Sequence, residues 1–271
     1  EIRLSLVGSE MCIRDSLYIY NVEEIPVPCP PKSIRIAIGH KLRAAERLRT
    51  AATAAQANIN DWLAACLPQW EEPNEQLSVT PTFNSTIETE RLDAWYNHPQ
   101  FQALDVAISK CAELVPLSKV SALVADRWHR SAGEIEYIEI GEFDLAQGTV
   151  HGKPIIAEVA PSRAQILAAS GDVAVSLVRP NRKNIVFIQG SGSRQIVVTS
   201  GCEVLRFESE DVAAFYSIVL RHNAITHQIM RWNTGTSYPA IEKLRTDRIM
   251  VPVLPGALKA QLLSSARVAV V

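Results

Sequence analysis

Two stretches decide how this chain is read: EIPVPCPPKSIRIAIGHKL at residues 24–42 and DRIMVPVLPGALKAQLLSSA at residues 247–266. Each writes a short hydrophobic strand-like step, then a proline cluster, then a helix-forming run. The best-matching prolines, Pro26 and Pro252, stand near opposite ends of the chain. That separation is far beyond the roughly 20–45 residues of a solenoid repeat. The same punctuation therefore brackets a whole domain rather than repeating within one.

The run after the first proline cluster, residues 32–66, holds no proline and one glycine, and is rich in alanine, so helix propensity is high. Ile38, Ala45, Ala52, Ile59 and Cys66 fall seven apart, and Leu48, Ala55 and Trp62 form a second such row. Small residues in a seam of this period admit a close partner helix. The run ALKAQLLSSARVAVV at residues 257–271 is the candidate partner; a long helix packed on its own domain is the alternative.

Residues 67–90 mix Pro, Asn, Ser, Thr and acid without a period and read as a linker. After Pro99, helical spacing returns through Phe101, Leu104, Ala107, Ile108 and Leu114. From Val115 to Phe207 the character is strand-like: EIEYIEIGEFD, GDVAVSLVRP, NIVFIQG and RQIVVTSGCEVLRF, with turn signals at Gly133, Gly171-Asp172, Pro180-Asn181 and Gly201. A single helix capped by Ser209 is expected over residues 209–232, followed by the loop NTGTSYPAI at 233–241.

A 47% hydrophobic, 21% charged composition describes a globular chain rather than a disordered one, and no apolar run is long enough to span a bilayer. A soluble protein without a membrane partner is expected. Five cysteines with no C-x-x-C pair argue against a disulfide framework or zinc site and favour a reducing cytoplasm. His222 and His227 lie five apart, on different faces of the expected helix, and no other metal-ligand spacing occurs. GSGSR at 190–194 lacks the Lys-Ser/Thr ending of a phosphate loop and reads as a turn. No G-x-S-x-G elbow occurs, nor the Asn-Pro-Pro-aromatic motif expected of a base methylase. No catalytic residue, metal or cofactor is assigned.

A net charge of −2 leaves nucleic-acid binding to a local patch. Between residues 173 and 207 lie Arg179, Arg182, Lys183, Arg194 and Arg206, opposed only by Glu203. This cluster reads either as a phosphate-facing edge or as a solvated rim. The hydroxyls, glycine and aromatic of NTGTSYPAI suit contacts to phosphate or base edges, or a purely structural helix-end turn.

These segments resemble, in order, the specificity subunit of type I restriction-modification systems. The resemblance runs through RLDAWYNHP (91–99), VPLSKVS (115–121), YIEIGEFDLAQGTV (137–150), PSRAQILAASGDVAVSLVRP (161–180), NTGTSYPAI and IMVPVLPG. It implies an α+β fold: a β-rich target recognition domain with packed helices, flanked by long α-helices that form an antiparallel coiled-coil-like spacer. On that pattern residues 17–31 end a first recognition domain and 32–66 are the first spacer helix. Residues 67–90 are the linker, 91–255 the second recognition domain, and 256–271 the start of the second spacer helix. LVGSEMCIRDS at 6–16 resembles translated sequencing adapter, so residues 1–16 are set aside as non-native; with no initiator methionine, a fragment of a longer protein is expected.

The implied role is non-catalytic: each recognition domain reads half of a bipartite target in duplex DNA. The spacer docks DNA adenine methyltransferase subunits, and a restriction/translocase subunit joins through the complex. The resemblance names no base-reading residue, because the reading loops are the variable part. Charge and loop position select Arg179, Asn181, Arg182, Lys183 and Arg194, with Thr234, Thr236, Ser237 and Tyr238, as the DNA-binding candidates. Two other readings are the C-terminal specificity module of a single-chain restriction-modification enzyme and a helical module that binds another protein.

Overall fold

A computed structural model describes residues 28–70, 91–130, 132–235 and 238–270. Residues 1–16, nearly all of the expected strand before the first proline cluster, residues 71–90 of the linker, Thr236 and Ser237 lie outside the described residues. The chain divides into two units after Leu48.

Helix α1, Lys32–Cys66, crosses that division. It starts directly after Pro31, whose carbonyl accepts the Ile34 and Arg35 amides, and it ends ahead of Pro68, where the residue before a proline disfavours the helical region. Up to Leu48 no described side chain is buried, and Ile34, Ile38, Leu42 and Leu48 are exposed. From Arg49 onward one stripe turns inward: Ala55, Ile59 and Leu63 are buried, four residues apart, and Trp62 meets Phe215 with ring centroids 5.4 Å apart. Fully burying Ile59 and Leu63 contributes about 1.5–3 kcal/mol each. The C-terminal half of the seven-residue seam therefore packs into its own domain.

The body is α+β. Helix α2 (Pro99–Ser109) carries proline in its first turn and is capped by His98, whose Nδ1 accepts the Gln100 amide. Ten strands follow: β1 (Leu114–Pro116), β2 (Ser121–Leu123), β3 (Glu134–Ile138), β4 (Thr149–His151), β5 (Lys153–Ile156), β6 (Ala164–Ala168), β7 (Val173–Ser176), β8 (Ile185–Gln189), β9 (Gln195–Thr199) and β10 (Cys202–Phe207). Then come α3 (Glu210–Val219), α4 (Asn223–Met230), β11 (Met250–Pro252) and α5 (Lys259–Val270). One sheet has the order β2-β10-β7-β8-β4, a second β5-β3-β9-β6, and β1 pairs with β11 alone. Pairing is antiparallel except for β3 with β9 and β4 with β8.

Strand periodicity assigns the layers. Val173, Val175, Ile185, Phe187, Leu205 and Phe207 face the core shared with the helices. Their neighbours Ala174, Val186, Ile188 and Val204 face Ile196 and Val198 between the two sheets. Side chains that alternate with period two thus join three layers, which explains why these strands read as continuous apolar runs.

One expectation is corrected. The single helix expected over residues 209–232 breaks into α3 and α4, because His222 is extended (φ −66°, ψ 141°) and its Nδ1 caps the Ala224 amide. Helix α5 lies along α3, with Leu262, Ala266 and Val270 buried and Arg267 paired to Asp211 at 2.7 Å. The Ser209 cap and the acidic first turn of α3 form as expected.

The proline step at the end of the body has a structural reason. β11 runs antiparallel to β1, bringing the chain's exit from the body beside its entry. Pro252 needs no amide there, and its carbonyl accepts the buried Tyr216 hydroxyl at 3.1 Å. No helix among the described residues is long and apolar enough to cross a membrane.

Candidate nucleic-acid interface

The turn between β7 and β8 presents the basic residues at 179–183. Arg179 (φ 51°, ψ 55°) and Lys183 (φ 54°, ψ 39°) both take the left-handed conformation, on either side of a 3-10 turn at Pro180–Arg182. Such backbone in a non-glycine residue costs on the order of 1–3 kcal/mol and persists only where neighbours impose it. Here the Arg179 amide donates to the Pro239 carbonyl at 2.7 Å, the Lys183 amide to Pro180 at 3.0 Å and the Ile185 amide to Lys183 at 2.7 Å. Ser176 stabilises the approach, its hydroxyl donating to the Val178 carbonyl and accepting the Val178 amide. Asn181 and Arg182 stand exposed at the tip.

The loop at 233–241 is zipped onto this turn. Val178 bridges Ala240, and the Ile241 amide donates to Leu177 at 2.9 Å. Asn233 closes the loop on itself: its Oδ1 accepts the Gly235 amide at 3.1 Å and the Ala240 amide at 2.8 Å. A Cβ on Gly235 would stand 1.9 Å from the Tyr238 carbonyl oxygen, so only glycine fits. Asn233 and Gly235 are thus framework, while Thr234 and Tyr238 are the exposed side chains they present. The Arg179 guanidinium lies 4.6 Å from the centroid of the Tyr238 ring, which is 62% exposed.

Two segments more than fifty residues apart in sequence therefore meet on one surface: Arg179, Asn181, Arg182 and Lys183 from the turn, Thr234 and Tyr238 from the loop. Arg194 is not among them. It follows the far end of β8, roughly 15 Å away along the strand, and pairs with Glu134 at 2.8 Å. Arg206 is neutralised as well: Asp172, almost fully buried, accepts its Nε at 2.8 Å and its Nη2 at 2.7 Å. Gly171, at φ 86°, is the turn that seats Asp172, and Gly192 (φ 87°) turns the chain from β8 to β9.

The sequence reading missed a second basic group beside the loop. Arg91, Lys243 and Arg245 line a cleft of about 400 Å³ with Trp232, Thr234 and Glu242. Arg91 donates to the Trp232 and Asn233 carbonyls at 3.2 Å, fixing the base of the loop. Arg245 lies 4.4 Å from the Trp232 ring centroid and pairs with Asp247 at 2.8 Å, which holds that carboxyl below its usual range. Glu203, pushed up by burial, accepts the Leu244 amide at 2.9 Å and faces Lys243. The signal was present in EKLRTDR at 242–248, directly after the loop. It lies outside the basic run of residues 173–207.

Among the described residues no three His, Cys, Asp or Glu side chains converge as metal ligands. What the surface offers is a set of cations, amides, hydroxyls and one aromatic face on a framed loop pair, a composition suited to phosphate and base-edge contacts.

No protein-family model matches the sequence, and no curated protein does. Solved structures do. The HsdS subunit from Thermoanaerobacter tengcongensis is 26% identical over 56% of this chain and 40% of that one, with a TM-score of 0.48. A structure described for complex assembly and conformational transition of the type I R-M system is 28% identical over 57% of this chain and 40% of that one, with a TM-score of 0.49. The chain spans about two fifths of the length of each.

Proposed function

We propose that this chain is a piece of a type I specificity subunit and that its body reads one half of a bipartite target in duplex DNA. The joined turn and loop form the reading edge. The observation that supports this most directly is the seating of Tyr238 on Arg179 through the Val178–Ala240 bridge. It joins two loops that are distant in sequence on one exposed, cationic surface, which supports the reading. Arg182 and Lys183 take backbone phosphates, and Asn181, Thr234, Thr236, Ser237 and Tyr238 are the candidates for base edges. Lys243 and Arg245 extend the phosphate track on the other side of the loop.

The chain chooses the sequence, while methylation and cleavage belong to partner subunits. Residues 91–255 are the recognition domain and α1 and α5 its spacer helices. The exposed apolar positions Ile34, Ile38, Leu42 and Leu48 of α1 support a docking role toward methyltransferase subunits.

The test is selection from a random duplex library by the full chain at one fixed low salt, followed by sequencing of the retained DNA. A short, one-sided motif is expected, with substitutions in it costing about 1–3 kcal/mol per base pair. Retention with no enriched motif would reduce the surface to a non-specific phosphate binder. No retention, with or without a methyltransferase partner, would remove the reading altogether.

A further inference from the structure

A second concave site lies on the side of the body where the C-terminal half of α1 meets the junction of α3 and α4. It is a cleft of about 420 Å³, and the uses described so far for the reading edge do not require it. Its polar lining is cationic and amide: Lys183, Arg221, His222, Gln56 and Asn60 reach it, Trp70 forms part of the wall, and no lining residue is an acid.

Arg221 is the central group. Its guanidinium donates to the Leu145 carbonyl and is more than half buried, and burial draws its proton affinity down. Burying a guanidinium is costly unless opposite charge and hydrogen bonds offset it, and a bound anion would add to what Asp144 supplies. The acid facing it is Asp144, outside the lining, whose Oδ1 already accepts the Ala146 and Gln147 amides at 3.0 Å. Gly148 makes room for the arginine: a Cβ there would stand 2.4 Å from Arg221 Nη1.

The other donors are also set. His222 Nδ1 accepts the Ala224 amide, so the neutral ring carries its proton on Nε2 and is a donor. Lys183 Nζ donates to Asn223 Oδ1 at the edge of the cleft. The Trp70 indole N–H is shielded from solvent and has no hydrogen-bond partner among the described residues. Donors from four separate segments, with a buried cation among them, fit a tetrahedral oxyanion, whose several acceptor oxygens can be met from different directions.

We propose that this cleft binds a phosphate group, with Arg221 as its principal ligand and Lys183, His222 and the α1 amides around it. The group comes either from a DNA backbone whose track continues past Lys183 or from a free phosphate or nucleotide.

The test follows the indole N–H resonances of the full chain while inorganic phosphate is added at constant ionic strength, with chloride as control. The Trp70 signal is assigned by its loss in Trp70→Phe. A saturable shift confined to Trp70 is expected. Arg221→Gln should weaken it by at least about tenfold in Kd. Asn60→Glu, which sets a carboxylate at the mouth from an exposed helix position, should do the same while the other four indole signals stay in place. No saturable shift, or one that persists unchanged in Asn60→Glu, would overturn the proposal.

The second arm uses duplex DNA. If DNA moves the Trp70 signal and phosphate competes, the backbone is the source. If DNA binds without moving it, the cleft serves free phosphate. If DNA does not bind at all while phosphate does, the DNA reading fails and the cleft stands.

Discussion

Arg206 and Asp172 provide the sharpest separation between a residue that binds DNA and one that only looks as if it should. By sequence Arg206 belongs to the basic run of residues 173–207; in the structure it is the partner of a carboxylate whose side chain is 3% exposed. That carboxylate accepts three N–H groups: Arg206 Nε and Nη2, and the Ala169 amide at 2.8 Å. Replacing Arg206 by Met keeps the stem and removes two of the three. A buried carboxylate stripped of its partner costs about 3–5 kcal/mol. The guanidinium is 46% exposed, so part of its attraction is screened by water, and the lower end applies: about 3 kcal/mol. Against a total of about 5–15 kcal/mol this is a large fraction.

Urea unfolding followed by tryptophan fluorescence measures it, with Asp172→Asn and the double variant completing a cycle. The double variant should be less destabilised than the sum of the singles, because it removes the stranded charge. In the same preparations, the salt dependence of DNA binding by Arg206→Met should match the parent. A loss below about 1 kcal/mol, or a salt slope lowered by about one unit, would refute the assignment.

Arg182→Ala, at the exposed tip of the turn, should lower the salt slope by about 0.9. Arg194→Ala, at the other end of β8 and paired to Glu134, should leave the slope unchanged, and binding isotherms between low and moderate salt compare the two. Gly235→Ala cannot keep the loop, since its Cβ meets the Tyr238 carbonyl. The Thr234 and Asn233 bonds to Ala240 are lost at about 1 kcal/mol each, and discrimination between selected and random duplexes should vanish. A Gly235→Ala chain that still prefers its selected motif would show that the loop does not read. His222 titrates below its ordinary 6.5, chiefly because burial disfavours the cation and next because of Lys183. Its neutral form is the one that caps α4, so its contribution is present above about pH 6.5 and is lost as pH falls through the lowered value. His222→Asn, which caps without titrating, should flatten the acid limb of a melting-temperature profile.

Much of the body could be read from the residues in order. The strands at 134–138, 173–176, 185–189, 195–199 and 202–207 announce themselves by β-branched runs between turn residues, and the Ser209 cap by its hydroxyl and following acids. The break at His222 was hidden because residues 209–232 keep helical composition throughout; a histidine cap has no strong local signature. The candidate site was half legible. The basic turn and the NTGTSYPAI loop each stand out, yet nothing local says that they touch.

The alternation of apolar and polar residues, the turn chemistry and the long alanine-rich helix are local properties, because they follow from dihedral preferences and side-chain period within a few residues. Which charges remain available depends on long-range packing. Asp172 and Glu134, far from Arg206 and Arg194 in sequence, reach them through strand pairing and neutralise them. The Val178–Ala240 bridge joins Arg179 to Tyr238, and the break between α3 and α4 turns Arg221 and His222 into a cleft with Lys183. Charge acts through space over a few ångströms, and a linear tally cannot see which distant segment supplies the opposite sign.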